Sequence, residues 1–327
     1  MREFDSTRDL MSFGDAPAVY HCHHFNLFLD QSIDDALGEE DGREVRFLAA
    51  RSATRQLLGT AFERGNHETP LERLQVAANL FRSMGHGMLT FEAPRGVGSV
   101  QGRFLHYGFA WREKYGHRVR KLAPADAFAA GFSAAALELA YQLPADTLDV
   151  REKRCFALKD PACQFSAGNK LVDDSRPPIG ASDISTYSQA RFEGSWRDDE
   201  ISKIASGLRD FTGSAEADHR GLMDAFGVYV AMHLSSYYNR ISFDALNTLK
   251  VKKPAVVPAL EGLLRESGHV CVFNTFGGIL LSPEWEALVG PLSCDPADIV
   301  AYCMAIGRAL GFGNRNVAEY KPGSRLG

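Results

Sequence analysis

The sequence predicts an α+β fold with an antiparallel sheet and packed helices in its first half, followed by a mostly helical second half. Three observations predict it. Apolar residues recur at helical spacing over 43–85 and then give way to short strand-like runs between Gly and Pro. An Ala-rich helical stretch over 124–142 leads into two further strand-like runs. A segment rich in Gly, Pro, Ser and Asp over 167–198 separates these from a strongly helical pattern over 199–248. Helices, strands, helix, strands is the order of an α+β domain. The chain thus divides into a domain over 1–166, a linker over 167–198 and a helical domain over 199–327.

Residues 1–18 read as a polar lead-in. Over 43–62, Val45, Leu48, Ala49, Leu57 and Leu58 mark one helix face. Over 71–85 a second amphipathic helix follows Pro70, where a missing N–H costs little, and stops at Gly85. Strands are expected over 88–91, 97–101 and 103–109, and a closing hairpin joins 148–156 to 163–166 across Lys159-Asp160-Pro161. In the second half, 223–238 is the most apolar of the expected helices and predicts deep burial.

Of 327 residues, 45% are hydrophobic and 24% charged, the balance of a soluble globular protein. A net charge of −5 with scattered basic residues gives no electrostatic footprint for nucleic acid. No run approaches the roughly 18–20 apolar residues of a membrane helix, and the acidic, polar start is not a secretory signal. Six cysteines in such a chain read as cytosolic thiols or metal ligands, so a cytoplasmic location is expected. There is no P-loop, Rossmann glycine set, nucleophile elbow or His-Glu-x-x-His.

Two constellations could carry chemistry. Glu152, Cys155 and Cys163 lie on expected hairpin strands, where a carboxylate and two thiolates can converge on a cation such as Zn²⁺. The same residues also suit two buried thiols and a surface glutamate. His21-Cys22-His23-His24 packs three imidazoles and a thiol into four residues, ligands for zinc or for a redox metal such as iron or copper. On an extended strand His21 and His23 would share one face, and Cys22 and His24 the other. Cys22 beside imidazoles also suits a nucleophilic thiolate, and a polar strand with one buried His suits the pattern equally.

The segments 20–33 and 268–281 share a His (His21, His269) and a following Phe-Asn pair (Phe25-Asn26, Phe273-Asn274). They read as a duplication, with the second half as the start of a partial second copy and 318–327 as the cut edge of a longer chain.

The run GFSAAALELAYQLPADTLDVREKRCFALKDPACQF over 131–165 resembles the end of 4-vinyl-reductase-type domains, with a Gly-aromatic-Ser helix, Glu-x2-Cys, a turn and Cys-x-Phe. HYGFAWREKYG over 106–116 resembles that family's aromatic and acidic strand, and the resemblance covers about 40–166. It implies an α+β fold, a homodimer and an apolar pocket for a small hydrophobic or aromatic ligand, as in the sensor domains of phenol- and xylene-responsive regulators. It places His106, Tyr107 and Trp111 facing that pocket. Separately, the flexible Gly85-His86-Gly87 connection suits His86 either to reach a ligand or to be a plain loop residue. The resemblance also implies zinc on Glu152, Cys155 and Cys163 with a further Cys near the Gly-aromatic helix. Residues 118–150 contain neither Cys nor His, so that fourth ligand has no counterpart. Three ligands leave the open position of a catalytic zinc site, or the site binds no metal.

Neither the ATPase domain nor the DNA-binding helices of those regulators occur here. Two functions follow. One is a sensory or ligand-binding protein. The other is a metal- or thiol-dependent enzyme working on a small organic molecule through His21, Cys22, His23 and His24.

Overall fold

The computed structural model describes residues 2–119, 121–170, 196–213, 216–315, 317 and 319–321. In chain order the elements are β1 (Arg2–Asp5), β2 (Leu10–Phe13), β3 (Ala16–Cys22), α1 (His23–Leu37), α2 (Glu39–Arg64), α3 (Pro70–Ser83), β4 (Met88–Glu92), β5 (Gly98–Arg103), α4 (His106–Lys114), α5 (Ala127–Ala140), β6 (Leu148–Arg154) and β7 (Cys163–Asn169). They continue with α6 (Asp198–Gly213), β8 (Met223–Ala225), β9 (Val228–Leu234), α7 (Ser235–Lys252), α8 (Val257–Cys271), a π-helical turn (Val272–Phe276), α9 (Gly277–Leu280), α10 (Pro283–Leu288) and α11 (Pro296–Ala309). The fold is α+β. One antiparallel sheet has the order β1-β2-β3-β9-β8 and the other β4-β5-β7-β6.

The helices over 43–85 and 124–142 form as expected. Helix α5 lies so close to α2 that a Cβ on Gly131 would meet the Phe47 carbonyl oxygen at 2.3 Å. Helices α1 and α2 are pinned by Arg46, 1% exposed, whose guanidinium pairs with Asp30 at 2.7 Å and with Asp34. Paired buried charges of this kind are costly to break.

Several expectations are corrected. The lead-in contains strands: β2 and β3 form a hairpin whose two-residue turn, Gly14 (φ 57) and Asp15 (φ 67), has the left-handed backbone such turns require. The apolar run over 223–238 is not one helix. Phe226 (φ 53) and Gly227 (φ 72) make an equivalent turn, so 223–234 folds back as β8 and β9, and the helix begins only at Ser235. Strand β9 then pairs with β3, with Tyr20 opposite Met232 and Val19 opposite His233. The strand expected over 103–109 ends at Arg103. Phe104 (φ 54) turns the chain, and α4 follows with His106 through Trp111 all buried, Tyr107, Ala110 and Trp111 packing into the main core.

The two segments read as a duplication differ in structure. His21 is buried on a strand, whereas 268–281 is helical throughout and His269 is exposed. Of the expected linker, 171–195 lies outside the described residues, as does most of 318–327. The first sheet draws strands from both sides of that segment. Among the described residues no helix is long and apolar enough to cross a membrane.

Candidate metal centre and a buried imidazole cluster

The closing hairpin brings Glu152, Cys155 and Cys163 together by an irregularity. In a regular strand residues three apart face opposite sides. The pairing of β6 with β7 shifts between Glu152 and Arg154, and one inserted residue turns Glu152 and Cys155 to the same side. Lys159, at φ 77, makes the turn, and Asp160 accepts the Cys155 amide at 2.9 Å. Cys163 then arrives on the partner strand, where its sulfur accepts the Phe156 amide at 3.3 Å.

A fourth group completes the set. Asp126, the residue before α5, stands among them, and each of the four offers one ligand atom within 4.8 Å of the others. Cys163 Sγ lies 3.3 Å from Asp126 Oδ2 and Cys155 Sγ 4.0 Å from it. The Asp126 amide donates to Glu152 Oε2 at 2.9 Å and the Ala125 amide to Cys155 Sγ at 3.4 Å. Glu152 Oε1 is buried with no partner. Asp126 thus stands as a fourth possible donor beside the three expected from the sequence.

These four acids are poorly matched to one another without a cation. Burial, and then the charge of Cys155, pushes Asp126 up to about 8. Burial and Asp126 hold Glu152 well above its ordinary range. A hydrogen bond from the Cys163 thiol brings Cys155 down to about 6 and correspondingly raises Cys163. Two thiolates and two carboxylates suit Zn²⁺, whose tetrahedral shell at roughly 2.0–2.3 Å needs donors about 3.3–3.8 Å apart. The unpartnered Glu152 oxygen supplies a lone pair for it.

Beside this centre lies a cluster of buried rings. His86 sits between Gly85 (φ 81) and Gly87 (φ 97), where a Cβ on Gly87 would meet the Phe104 carbonyl at 2.4 Å. Its Nε2 donates to the Met232 carbonyl at 2.9 Å. Its ring stacks on Phe128 at 4.4 Å and meets His233 edge-on at 4.4 Å. The His106 amide donates to the His86 carbonyl at 3.1 Å. Tyr107 Oη and His233 Nε2 are 3.1 Å apart. Tyr238 donates to Asn26 Oδ1 at 2.7 Å, and Asn26 Nδ2 donates to His106 Nε2 at 3.0 Å. That bond makes His106 Nε2 the acceptor, so Nδ1 carries the proton. His106 Nδ1 and His233 Nδ1 are buried without partners, and the Tyr237 hydroxyl lies against that of Tyr107. Burial lowers His86 to about 4 and takes His106 and His233 well below the imidazole range; it raises Tyr107, Tyr237 and Tyr238. The cluster is uncharged at neutral pH.

Of the residues expected at a ligand pocket, His86, His106 and Tyr107 thus meet, on a loop and a helix rather than a strand. Trp111 does not join them: Lys121 covers its ring at 4.7 Å and Tyr115 lies 5.6 Å away. His21, Cys22, His23 and His24 split into two pairs, because the strand ends at Cys22 and His23 begins α1, where the His23 and His24 rings lie 4.0 Å apart. His21 Nδ1 lies 3.4 Å from Cys271 Sγ, and Thr275 donates to Cys22 at 3.0 Å. The Tyr229 amide donates to His23 Nδ1 at 3.2 Å, and His24 Nδ1 is 2.7 Å from Tyr115 Oη. The face-sharing expected of an extended strand does not arise, and none of the four belongs to the metal-ligand group found among the described residues.

Sequence reasoning missed Asp126 because only Cys and His were sought near the Gly-aromatic helix. A carboxylate is an equally ordinary zinc ligand, but nothing in the spacing of Asp126 from Glu152 singles it out. It also missed Asn26, Phe128, His233, Tyr237 and Tyr238; the last three fall in the run over 223–238 read as a buried helix.

No family model matches the chain, and no curated protein matches it. Among solved structures it is similar to the phenol-responsive sensory domain of the transcription activator PoxR with phenol, at 16% identity and a TM-score of 0.41, over 51% of this chain and 84% of that one.

Proposed function

We propose that this chain binds a small uncharged aromatic molecule bearing a hydrogen-bonding group at the His86–His106–His233–Tyr237 cluster, as a sensory or ligand-binding protein. In this reading a four-ligand zinc centre at Asp126, Glu152, Cys155 and Cys163 braces the adjoining helices. The observation that carries the reading is the pair of buried ring nitrogens without partners among stacked rings, His106 Nδ1 and His233 Nδ1. Each unmet buried group costs about 1–3 kcal/mol, which a ligand offering a complementary hydroxyl would recover. Neutral imidazoles favour a neutral ligand, and ring edges and faces favour an aromatic one. Four protein donors make the metal structural, since catalytic zinc keeps a position for water.

The test is calorimetric titration of phenol into zinc-loaded protein, together with metal analysis. His106→Leu is expected to weaken phenol binding at least tenfold while leaving about one zinc per chain. Asp126→Ala or Cys163→Ser is expected to lose the zinc, and His21→Ala to retain it. Unchanged phenol affinity in His106→Leu would refute the ligand reading, and no bound zinc in the parent protein would refute the metal reading.

A further inference from the structure

We propose that Asp126 couples the two sites, so that a bound metal and a bound aromatic ligand strengthen each other. The proposal rests on the ligand-binding reading above. Asp126 divides its carboxylate between them. Oδ2 faces Cys163 Sγ at 3.3 Å inside the donor set, while Oδ1 accepts the Gly108 amide at 3.1 Å. Gly108 is the third residue of α4, and Leu105, ahead of that helix, offers no side-chain cap. The carboxylate of the metal centre therefore caps α4 from outside, meeting one of the amides that a helix start leaves free.

The two residues ahead of Gly108 are His106 and Tyr107, the α4 members of the ring cluster. The approach leaves no room for a side chain: a Cβ on Gly108 would lie 2.4 Å from Asp126 Oδ2 and 3.6 Å from Cys163 Sγ. Asp126 also stands at the start of α5, its own side chain making no cap there. Two residues on, Phe128 stacks on His86 at 4.4 Å and meets His233 at 4.6 Å and Tyr237 at 5.0 Å. Helix α4 thus begins on the Asp126 carboxylate, and α5 begins on the Asp126 backbone.

A cation held by Asp126 Oδ2, Glu152 and the two thiolates fixes that carboxylate, and with it the first turn of α4 and the entry to α5. A ligand that hydrogen-bonds His106 and packs on Phe128 favours the same placement. Because coupling between two binding equilibria is reciprocal, each raises the other's affinity by the same factor, in the range of roughly 5- to 150-fold. Asp126 is a positioning residue for the ligand as well as a metal ligand.

The experiment uses the full chain, metal-free and zinc-loaded. Phenol affinity is measured in both forms, zinc affinity with and without saturating phenol, and hydrogen exchange across 104–115 in both. Expected are tighter phenol binding to the zinc form within that range, an equal gain in zinc affinity with phenol, and slower exchange of the α4 amides. Asp126→Cys keeps a zinc ligand but removes the acceptor for Gly108. It should bind zinc while the zinc dependence of both phenol affinity and α4 exchange disappears. Equal phenol affinity and equal exchange in the two wild-type forms would overturn the coupling, as would full coupling in Asp126→Cys. Those wild-type comparisons stand even if the variant does not fold. Phenol binding to neither form would overturn the ligand reading instead; the exchange comparison alone would then decide whether metal and α4 are coupled, equal exchange sinking it.

Discussion

Gly131 is a motif residue in the sequence and a packing requirement in the structure. The Gly-aromatic-Ser pattern marks it, but only the closeness of α5 to α2 explains it. A Cβ there would lie 2.3 Å from the Phe47 carbonyl oxygen, 2.7 Å from Ala50 Cβ and 2.9 Å from the Arg51 nitrogen, mostly backbone that cannot give way cheaply. Gly131→Ala is therefore expected to destabilise the protein by about 1–3 kcal/mol, seen as a lower urea midpoint. An unchanged midpoint would mean that the two helices separate without penalty. Asp126 teaches the complementary lesson. Its spacing from Glu152 carries no motif, because α5 and a loop intervene, and the fold alone carries it to the hairpin. Three of the four donors were legible because they share one hairpin; the fourth was not.

Among the elements, α3 shows local sequence acting without help. Thr69 accepts the Glu72 amide at 3.3 Å, Glu72 accepts the Thr69 amide at 3.0 Å, and Pro70 occupies the first turn. Such a reciprocal box satisfies two amides that the helix start leaves free. Thr69→Ala should cost about 1 kcal/mol and lower the melting temperature by about 2 °C in a circular dichroism scan, with Thr69→Ser close to the parent. The elements misread were those where tertiary context overrode composition. The run over 223–238 is apolar enough for a buried helix. It becomes a strand because Phe226 and Gly227 turn the chain and β3 offers an unpaired edge. The run over 103–109 has aromatic content suited to a strand, yet from His106 onward it is α4, with Tyr107, Ala110 and Trp111 packed into the main core. Short apolar runs leave helix and strand undecided, and the neighbours decide.

At the scale of the whole molecule, buried titratable groups govern the response to pH. Burial lowers His21 and His23 to about 3 and His86 to about 4, and takes His106 and His233 well below the ordinary imidazole range. In the unfolded chain each returns to about 6.5. Below that pH the unfolded state binds protons that the folded state refuses, so stability falls as pH drops from about 6.5 towards 4. Burial raises Asp30 to about 6, Asp126 to about 8 and Glu152 well above its usual value, which favours the folded state over the same acid range. Six depressed imidazoles, His24 among them, outnumber the three raised carboxyls, so the net effect of acidification on the metal-free protein is a loss of stability. Urea midpoints at pH 6.5, 5.5 and 4.5 check this, and a midpoint that held or rose on acidification would contradict it.

Local sequence is enough for the α+β class, the helices over 43–85 and 124–142, and the hairpin that carries Glu152, Cys155 and Cys163. Each rests on local periodicity, a cap or a turn, and such signals are complete within some fifteen residues. Long-range packing is what joins β9 to β3, brings Asp126 to the hairpin thiols, and gathers His86, His106 and His233 while it parts His21 and Cys22 from His23 and His24. Those outcomes depend on contacts between residues as much as 216 positions apart, as Ala18 and Leu234 are. No local spacing encodes such a contact; it exists only once packing has brought the two elements together.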